Sequence, residues 1–442
     1  MNTAGLQAVS SWGRLSHELH QVAPLRDRGP LPEITPPGTP ALAFGNGRSY
    51  GDACLNPGGR LWATRGLDRF IGFDTATGML ECEAGVLLCE IVAVALPRGW
   101  FLPVTPGTQF ATLGGAIAND VHGKNHHRAG TLGEHLDSFW LARSDGSLQQ
   151  CGRSANAALF EATIAGLGLT GVIVSARLQL RRVAGPWMAT TTAPFDTLDE
   201  FFTLSRQAER DAEYGVAWID CLSGAAGRVR GIFFSADHAD VAAQANREPP
   251  RQRTRSLPIT PPWSLVNGVS LRLFNALYHR ANRQRAGRHL QHFEAFFYPL
   301  DKLLDWNRVY GPRGFYQYQC VVPRDAEAAA VVDLLAAIKG SGTGSFLAVL
   351  KTFGERQGAG LLSFPLPGTT LALDFPNRGE STLRLFARLD AIVAAAGGRL
   401  YPAKDACMSR ALFEQGYPRL GEFLRFRDPG ISSAMSRRLI GA

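Results

Sequence analysis

Gly45-Asn-Gly-Arg-Ser-Tyr-Gly-Asp52 and Pro106-Gly-Thr-Gln-Phe-Ala-Thr-Leu-Gly-Gly-Ala-Ile-Ala-Asn119 are the stretches whose reading decides the fold. They stand about sixty residues apart, and the second runs on into His122-Gly-Lys-Asn-His-His127. Gly45 and Gly47 lack a Cβ, so the backbone there can turn through positive φ and aim successive N–H groups at an anion. Gly114 and Gly115 allow the same close approach from the second segment. Together they read as a bipartite cradle for the pyrophosphate of a dinucleotide. A Rossmann fingerprint needs Gly-x-Gly-x-x-Gly between a strand and a helix. Here the spacing is Gly-x-Gly-x-x-x-Gly, and Leu55-Asn-Pro-Gly-Gly59 breaks any helix that would follow. No Gly-Lys-Ser/Thr closes either segment, which excludes a P-loop. A glycine loop standing alone is an ordinary tight turn; two in tandem before a His/Lys cluster point to a ligand.

At 442 residues the chain can bury two full cores, and 45% hydrophobic with 19% charged residues is ordinary for a globular protein. No run of about eighteen apolar residues offers a membrane span. Met1 to His20 lacks a basic stretch followed by an apolar one, so no secretory signal is expected. The seven cysteines (54, 82, 89, 151, 221, 320, 407) are odd in number and never form Cys-x-x-Cys. That argues for reduced thiols in a cytoplasmic setting and against a disulfide framework or zinc ribbon.

The net charge of +8 is concentrated. Residues 249–293 hold eight arginines (251, 253, 255, 272, 280, 283, 285, 288) and no acid, interleaved with Ile259, Trp263, Leu265, Leu273, Leu277 and Tyr278. Such a mixture suits an anionic membrane surface, with Trp263 and Tyr278 at the interface. A solvated basic loop and helix is the other reading, and sequence leaves both open. Nucleic acid is not expected, since none of its binding motifs occurs.

Short strand-like runs at 60–64, 79–84 and 138–142, a helix over 87–96 and an alternating strand over 172–180 organise the first 185 residues. Residues 186–398 mix strands (314–322, 371–374) with helices (326–339, 380–396), as a second α+β domain would, and 399–442 return to the first. Together with the glycine segments, Gly166 to Gly171, Trp306-Asn-Arg-Val-Tyr-Gly-Pro312, Tyr316-Gln-Tyr-Gln319 and Tyr401 to Asp405 give the chain a recognisable pattern. It resembles the FAD-dependent oxidoreductases of the vanillyl-alcohol-oxidase type, and more narrowly the decaprenylphosphoryl-β-D-ribose 2′-oxidase family. The resemblance implies an α+β, two-domain fold. An FAD-binding domain (1–185, 399–442) is joined to a substrate domain built on an antiparallel sheet (186–398), which carries the basic apolar loop 249–293.

The same resemblance assigns FAD to Gly45, Asn46, Gly47, Arg48, Ser49, Tyr50 and Gly51 in the first loop. In the second it assigns Gly107, Thr112, Gly114, Gly115, Asn119 and His122, and beyond them Ile173 and Tyr401. Many relatives link FAD covalently through a histidine where Arg48 stands here, so non-covalent binding is expected. Lys404, His122 and Tyr50 are the catalytic candidates, with Lys404 at the flavin's pyrimidine edge. Lys124, Gln317, Gln319 and Lys351 match substrate positions, although Lys351 read alone is as well explained by a surface lysine. His122-x-x-x-His126-His127 could be read as a metal site, but Gly123 weakens a helix there and no carboxylate accompanies it, so no metal is expected. His126 and His127 are expected to bond backbone carbonyls.

The implied activity is oxidation of a sugar hydroxyl to a ketone, the 2′-hydroxyl of a polyprenyl-phosphate pentose. It would be the first half of an epimerisation completed by an NAD(P)-dependent reductase. The protein would then be cytoplasmic or peripheral on the inner membrane. A soluble aldose or alditol oxidase on the same fold, and a lipid-surface module with a degenerate flavin site, are the competing readings.

Overall fold

The computed structural model describes residues 5–32, 38–223, 228–244 and 254–441. Arg251 and Arg253 of the basic segment lie outside these residues. The first sheet has the spatial order Gly5–Ala8, Leu19–Pro24, Arg60–Ala63, Ala41–Phe44, and Arg60–Ala63 runs parallel to both its neighbours. The first glycine loop leaves the end of Ala41–Phe44. A second, antiparallel sheet carries Phe70–Asp74, Met79–Glu83, Val172–Gln179, Leu136–Ala142 and Leu148–Gly152 in that order. Between them helix Leu88–Ala95 buries Leu88, Ile91, Val92 and Ala95, the i, i+3, i+4, i+7 stripe of an amphipathic helix. Helix Leu113–Ala118 starts at Thr112, whose hydroxyl accepts the Gly115 N–H.

The third sheet is the largest. Its eight strands follow the order Gly287–His292, Trp187–Thr197, Arg228–His238, Tyr214–Ile219, Ala348–Phe353, Gly368–Pro376, Phe315–Pro323, Arg399–Leu400, with every pairing antiparallel. Helices Leu198–Asp211, Glu327–Gly340 and Glu380–Ala395 pack on one face, where Tyr318, Leu350, Leu371 and Leu373 join the core. Because side chains alternate along a strand, Gln317, Gln319, Lys351 and Ala372 project from the opposite face and line a cavity. This is the α+β architecture, with its largest sheet antiparallel, that the resemblance led us to expect.

Strand Arg399–Leu400 is the edge of this third sheet, paired with Phe315–Pro323, so the return to the glycine loops starts at Tyr401 and not at 399. From there the chain crosses directly: the Tyr401 hydroxyl donates to Asn119 O at 2.8 Å, and the Tyr50 N–H donates to Ala403 O at 3.1 Å. Helix Ala434–Leu439 then brings in Arg438. Its Nη2 donates to both Asp52 and Asp405, each at 2.8 Å. Helix Gly268–Arg283, capped by Asn267, lies over the far half of the sheet and buries Leu271, Asn275 and His279. Asn275 Nδ2 donates to Asp220 at 2.7 Å, and Arg230 holds the same carboxylate through Nε and Nη2. Among the described residues no helix is long and apolar enough to cross a membrane.

Candidate active site

A cavity of about 730 Å³ is lined on one side by the two glycine loops and on the other by the open face of the eight-stranded sheet. That size is within the range of cofactor and ligand pockets. In the first loop Gly47 takes φ +59°, and a Cβ on Gly45 would stand 2.5 Å from Thr112 Oγ1. Among the described residues no protein acceptor takes the N–H groups of Asn46, Gly47, Arg48 or Ser49. Four consecutive amides left unbonded by the protein beside a cavity are free to receive an anionic acceptor. Asn46 Nδ2 donates to Phe110 O at 2.8 Å and ties the two loops together.

The second loop works differently from expectation. The Gly114 N–H donates to Ala84 O at 2.8 Å and the Gly115 N–H to Thr112 Oγ1 at 3.1 Å, so neither amide is left for an anion. Gly114 is instead needed for packing, since its Cβ would meet Ala84 Cβ at 3.0 Å. Gly107, Asn119, Ile173 and Tyr401 line the same cavity, and Asn119 Oδ1 is buried without a partner. The Arg48 guanidinium lies 4.1 Å from the Trp12 ring centroid and its Nε has no partner. Burial is the main cause that lowers its pKa.

The sequence candidates for chemistry converge at the sheet end. Gln319 Nε2 meets His122 Nε2 at 3.0 Å. The amide can only donate there, so the imidazole hydrogen belongs on Nδ1, which is buried and unpartnered. Burial, then Lys351, holds His122 well below its usual pKa, so it is a neutral donor. Tyr50 stacks edge-on against Phe315, and burial pushes its phenol well above the usual range. Lys404 Nζ sits 3.9 Å from the Tyr50 ring centroid. Lys124 Nζ donates to Phe296 O and Lys351 Nζ donates to Gly123 O at 3.1 Å. Lys351 therefore points into the cavity wall and is not a surface lysine.

Loss of solvation lowers all three amines. Lys124 falls to about 7; Lys351 falls to about 7, with Lys124 and Lys404 adding repulsion. Lys404 falls only to about 8, because Asp374 opposes the shift. Asp374, which sequence reading passed over, is fully buried, accepts Gln317 Nε2 at 2.6 Å and leaves Oδ2 without a partner. Burial raises it to about 7 against the pull of Gln317 and Lys404. One signal for it was available: a lone acid in the apolar run Leu371-Ala-Leu-Asp-Phe-Pro376. Another was missed as well, since the chain has five lysines among 46 basic residues and four of them line this cavity.

The remaining histidines divide. His127 Nε2 bonds Ala212 O at 3.0 Å, whereas both ring nitrogens of His126 are buried without partners and the ring packs 4.7 Å from Phe353. His126 therefore does not bond a carbonyl. Among the described residues no three His, Cys, Asp or Glu side chains are grouped to hold a metal. Tyr278 is likewise turned inward, its ring 4.7 Å from Trp218, and does not face outward with Trp263.

Residues 34–152 match the FAD binding domain family. The chain is similar to decaprenylphosphoryl-β-D-ribose oxidase of Mycolicibacterium smegmatis, with 35% identity over 417 residues that cover 91% of this chain and 89% of that one. The chain belongs to the FAD-dependent oxidoreductases of the vanillyl-alcohol-oxidase type. An uncharacterised protein of Streptomyces coelicolor is 34% identical over 373 residues, 80% of this chain and all of its own. L-gulonolactone oxidase of Mus musculus is 28% identical over 137 residues, 30% of each chain. FAD is thus the cofactor, and the protein is an oxidoreductase acting on CH–OH groups. The unbonded amides of 46–49 and the unpartnered polar atoms of Arg48 and Asn119 fit such a group.

Two predictions follow from this geometry. With Arg48 stacked on Trp12 where a linking histidine would stand, acid or heat denaturation followed by filtration releases all FAD; flavin retained on the polypeptide contradicts this. Lys404→Met slows flavin reduction by about two orders of magnitude or loses bound cofactor, as expected for one pre-organised charge. Lys339→Met, on the exposed side of helix Glu327–Gly340, changes little. Equal small effects at both positions contradict the assignment.

Proposed function

We propose that the protein oxidises a sugar hydroxyl to a ketone, at the 2′-position of a pentose carried on a polyprenyl phosphate. The reaction would be the first half of an epimerisation that an NAD(P)-dependent reductase completes. The observation that carries this reading is the gathering of Lys124, Lys351 and Lys404 in the cofactor's cavity, which asks for an anionic substrate. Similarity over 91% of the chain to an oxidase of such a substrate supports it.

FAD, when bound, supplies the acceptor for the carbinol hydride. The chain's own groups divide the remaining tasks by their pKa. Lys404, held closest to its charged form by Asp374, keeps a positive charge beside Tyr50. Lys351 and Lys124, at about 7, are free amines in part at neutral pH and can take the hydroxyl proton. Tyr50 holds its proton too tightly to be a base. His122 offers a donor at Nδ1, and Gln317, fixed by Asp374, and Gln319 form the polar wall against which a sugar is oriented.

Anaerobic mixing of the holoenzyme with a prenylphosphoryl pentose should bleach the flavin band at least about a hundredfold faster than the free pentose, since the latter lacks the anchoring phosphate. Comparable rates favour the soluble sugar oxidase. The bleaching rate should rise between pH 6 and 8, as an amine with a pKa of about 7 deprotonates, while affinity for the anionic substrate falls over the same interval. A flat profile for both contradicts the lysine roles.

The same reading puts the protein at the cytoplasmic side of an anionic membrane, peripherally. Helix Gly268–Arg283 supports it, because Val269, Leu273 and Leu277 recur every four residues and are 78%, 61% and 59% exposed. Trp263 and Ile259 lie exposed nearby, as do Arg272, Arg280, Arg285 and Arg288, in a segment free of acids. Cosedimentation with phosphatidylglycerol vesicles should be strong at low salt and weak at high salt, and should be lost on combining Leu273→Ser with Leu277→Ser. Unchanged binding by that variant contradicts the proposal.

A further inference from the structure

The cavity does not end at the lysines. Strand register arranges the open sheet face in order: Gln319 opposite Ala372, Ala372 opposite Val349, Val349 opposite Trp218, and on the next row Val216 opposite Phe234. The face therefore passes from amide side chains to purely apolar ones within four strands. Lys351 stands two residues from Val349 on the same side of the same strand, at the change. Over the apolar half lies helix Gly268–Arg283, with Tyr278 against Trp218 and Ala281 at the cavity rim.

Three features show that this half is built to receive something. Phe234, Leu347 and Val349 project inward yet are only half-buried, so their neighbours do not fill the space they face. The Trp218 Nε1–H already donates to Phe346 O at 3.0 Å, leaving only the carbon face of the indole toward the cavity. The roof is fastened from beneath by the Asn275–Asp220–Arg230 bonds, so the space is held open by polar contacts outside it. A free sugar has no apolar surface to offer such a strip, and the cofactor loops lie on the other wall.

We infer that the strip formed by Val216, Trp218, Phe234, Tyr278, Leu347 and Val349 is the subsite for the first isoprene units of the substrate's lipid. The inference rests on the lipid-phosphate reading above and goes on to say where the chain lies: beneath helix Gly268–Arg283, with the phosphate at the amines where polar meets apolar. It also assigns the helix two apolar faces with separate tasks, the inner one toward the lipid chain and the outer one toward the bilayer.

Calorimetric titration of the holoenzyme with inorganic phosphate, dimethylallyl phosphate and farnesyl phosphate, each below its aggregation threshold, reads the subsite. Affinity should rise at least about tenfold at each step, since every buried methylene adds to it. Val349→Thr keeps the shape but adds a hydroxyl, and should weaken farnesyl phosphate about tenfold while leaving inorganic phosphate unchanged. Ala281→Trp, at the rim, should do the same by narrowing the entrance. Wild-type FAD content certifies that each variant is folded. Equal affinity for the three ligands, or a chain-length dependence unaltered in both variants, overturns the inference. If the prenylphosphoryl pentose still bleaches the flavin in that case, the proposed oxidation stands without it. Bleaching by free pentose at the same rate would instead remove the lipid-phosphate reading itself.

Discussion

The approach of Gly51 to the Asp405 carbonyl is the contact on which the rest of the site depends. A Cβ on Gly51 would stand 1.6 Å from that oxygen, so no side chain other than glycine's hydrogen fits. With the two segments this close, the Tyr50 N–H reaches Ala403 O and the Lys404 amine reaches the Tyr50 ring. Arg438 holds the junction from outside by bonding Asp52 and Asp405 together, neutralising two carboxylates that would otherwise repel. The first glycine loop and the lysine proposed to serve the cofactor are thus fixed to one another, although about 350 residues separate them in the chain.

The choice of cation follows from what each place must do. Arginine stays charged at any ordinary pH and supplies the surface ion pairs and the Asp52–Asp405 clamp. Lysine is used sparingly, and three of the five carry a pKa brought down to between about 7 and 8 inside the cavity. An amine can yield its proton at neutral pH when desolvation and neighbouring cations lower its pKa, whereas a guanidinium does not yield it. Asp374 then separates the roles by favouring the charged form of Lys404 alone.

Much of this was legible in the sequence because it is written locally. The glycine spacing announced the first loop and helices such as Glu380–Ala395 showed their period directly, whereas strand Val172–Gln179, expected to alternate, is buried along nearly its whole length because it is central in its sheet. The site residues from His122 to Lys404 were named through the resemblance, and the structure brings them into one cavity. What sequence could not show is where a backbone amide is already bonded. Gly114 and Gly115 look like an anion nest, but a helix cap and Ala84 take their hydrogens. Asp374 escaped notice for a similar reason: an acid in an apolar strand gains meaning only when cross-strand register sets it beside Gln317. The inward turn of Tyr278 depends on Trp218, some sixty residues away.

The central claim is that the cavity's lysines are tuned by burial to work on an anionic sugar substrate. Carbon-13 methylation of the oxidised holoenzyme gives one NMR probe for each of five lysines, few enough to resolve. The account predicts that three of them titrate between about 7 and 8, and that farnesyl phosphate raises the titration of at least one of the three while another amine stays available as base. If none titrates in that interval, or the anion leaves all five unmoved, the account of this site is wrong.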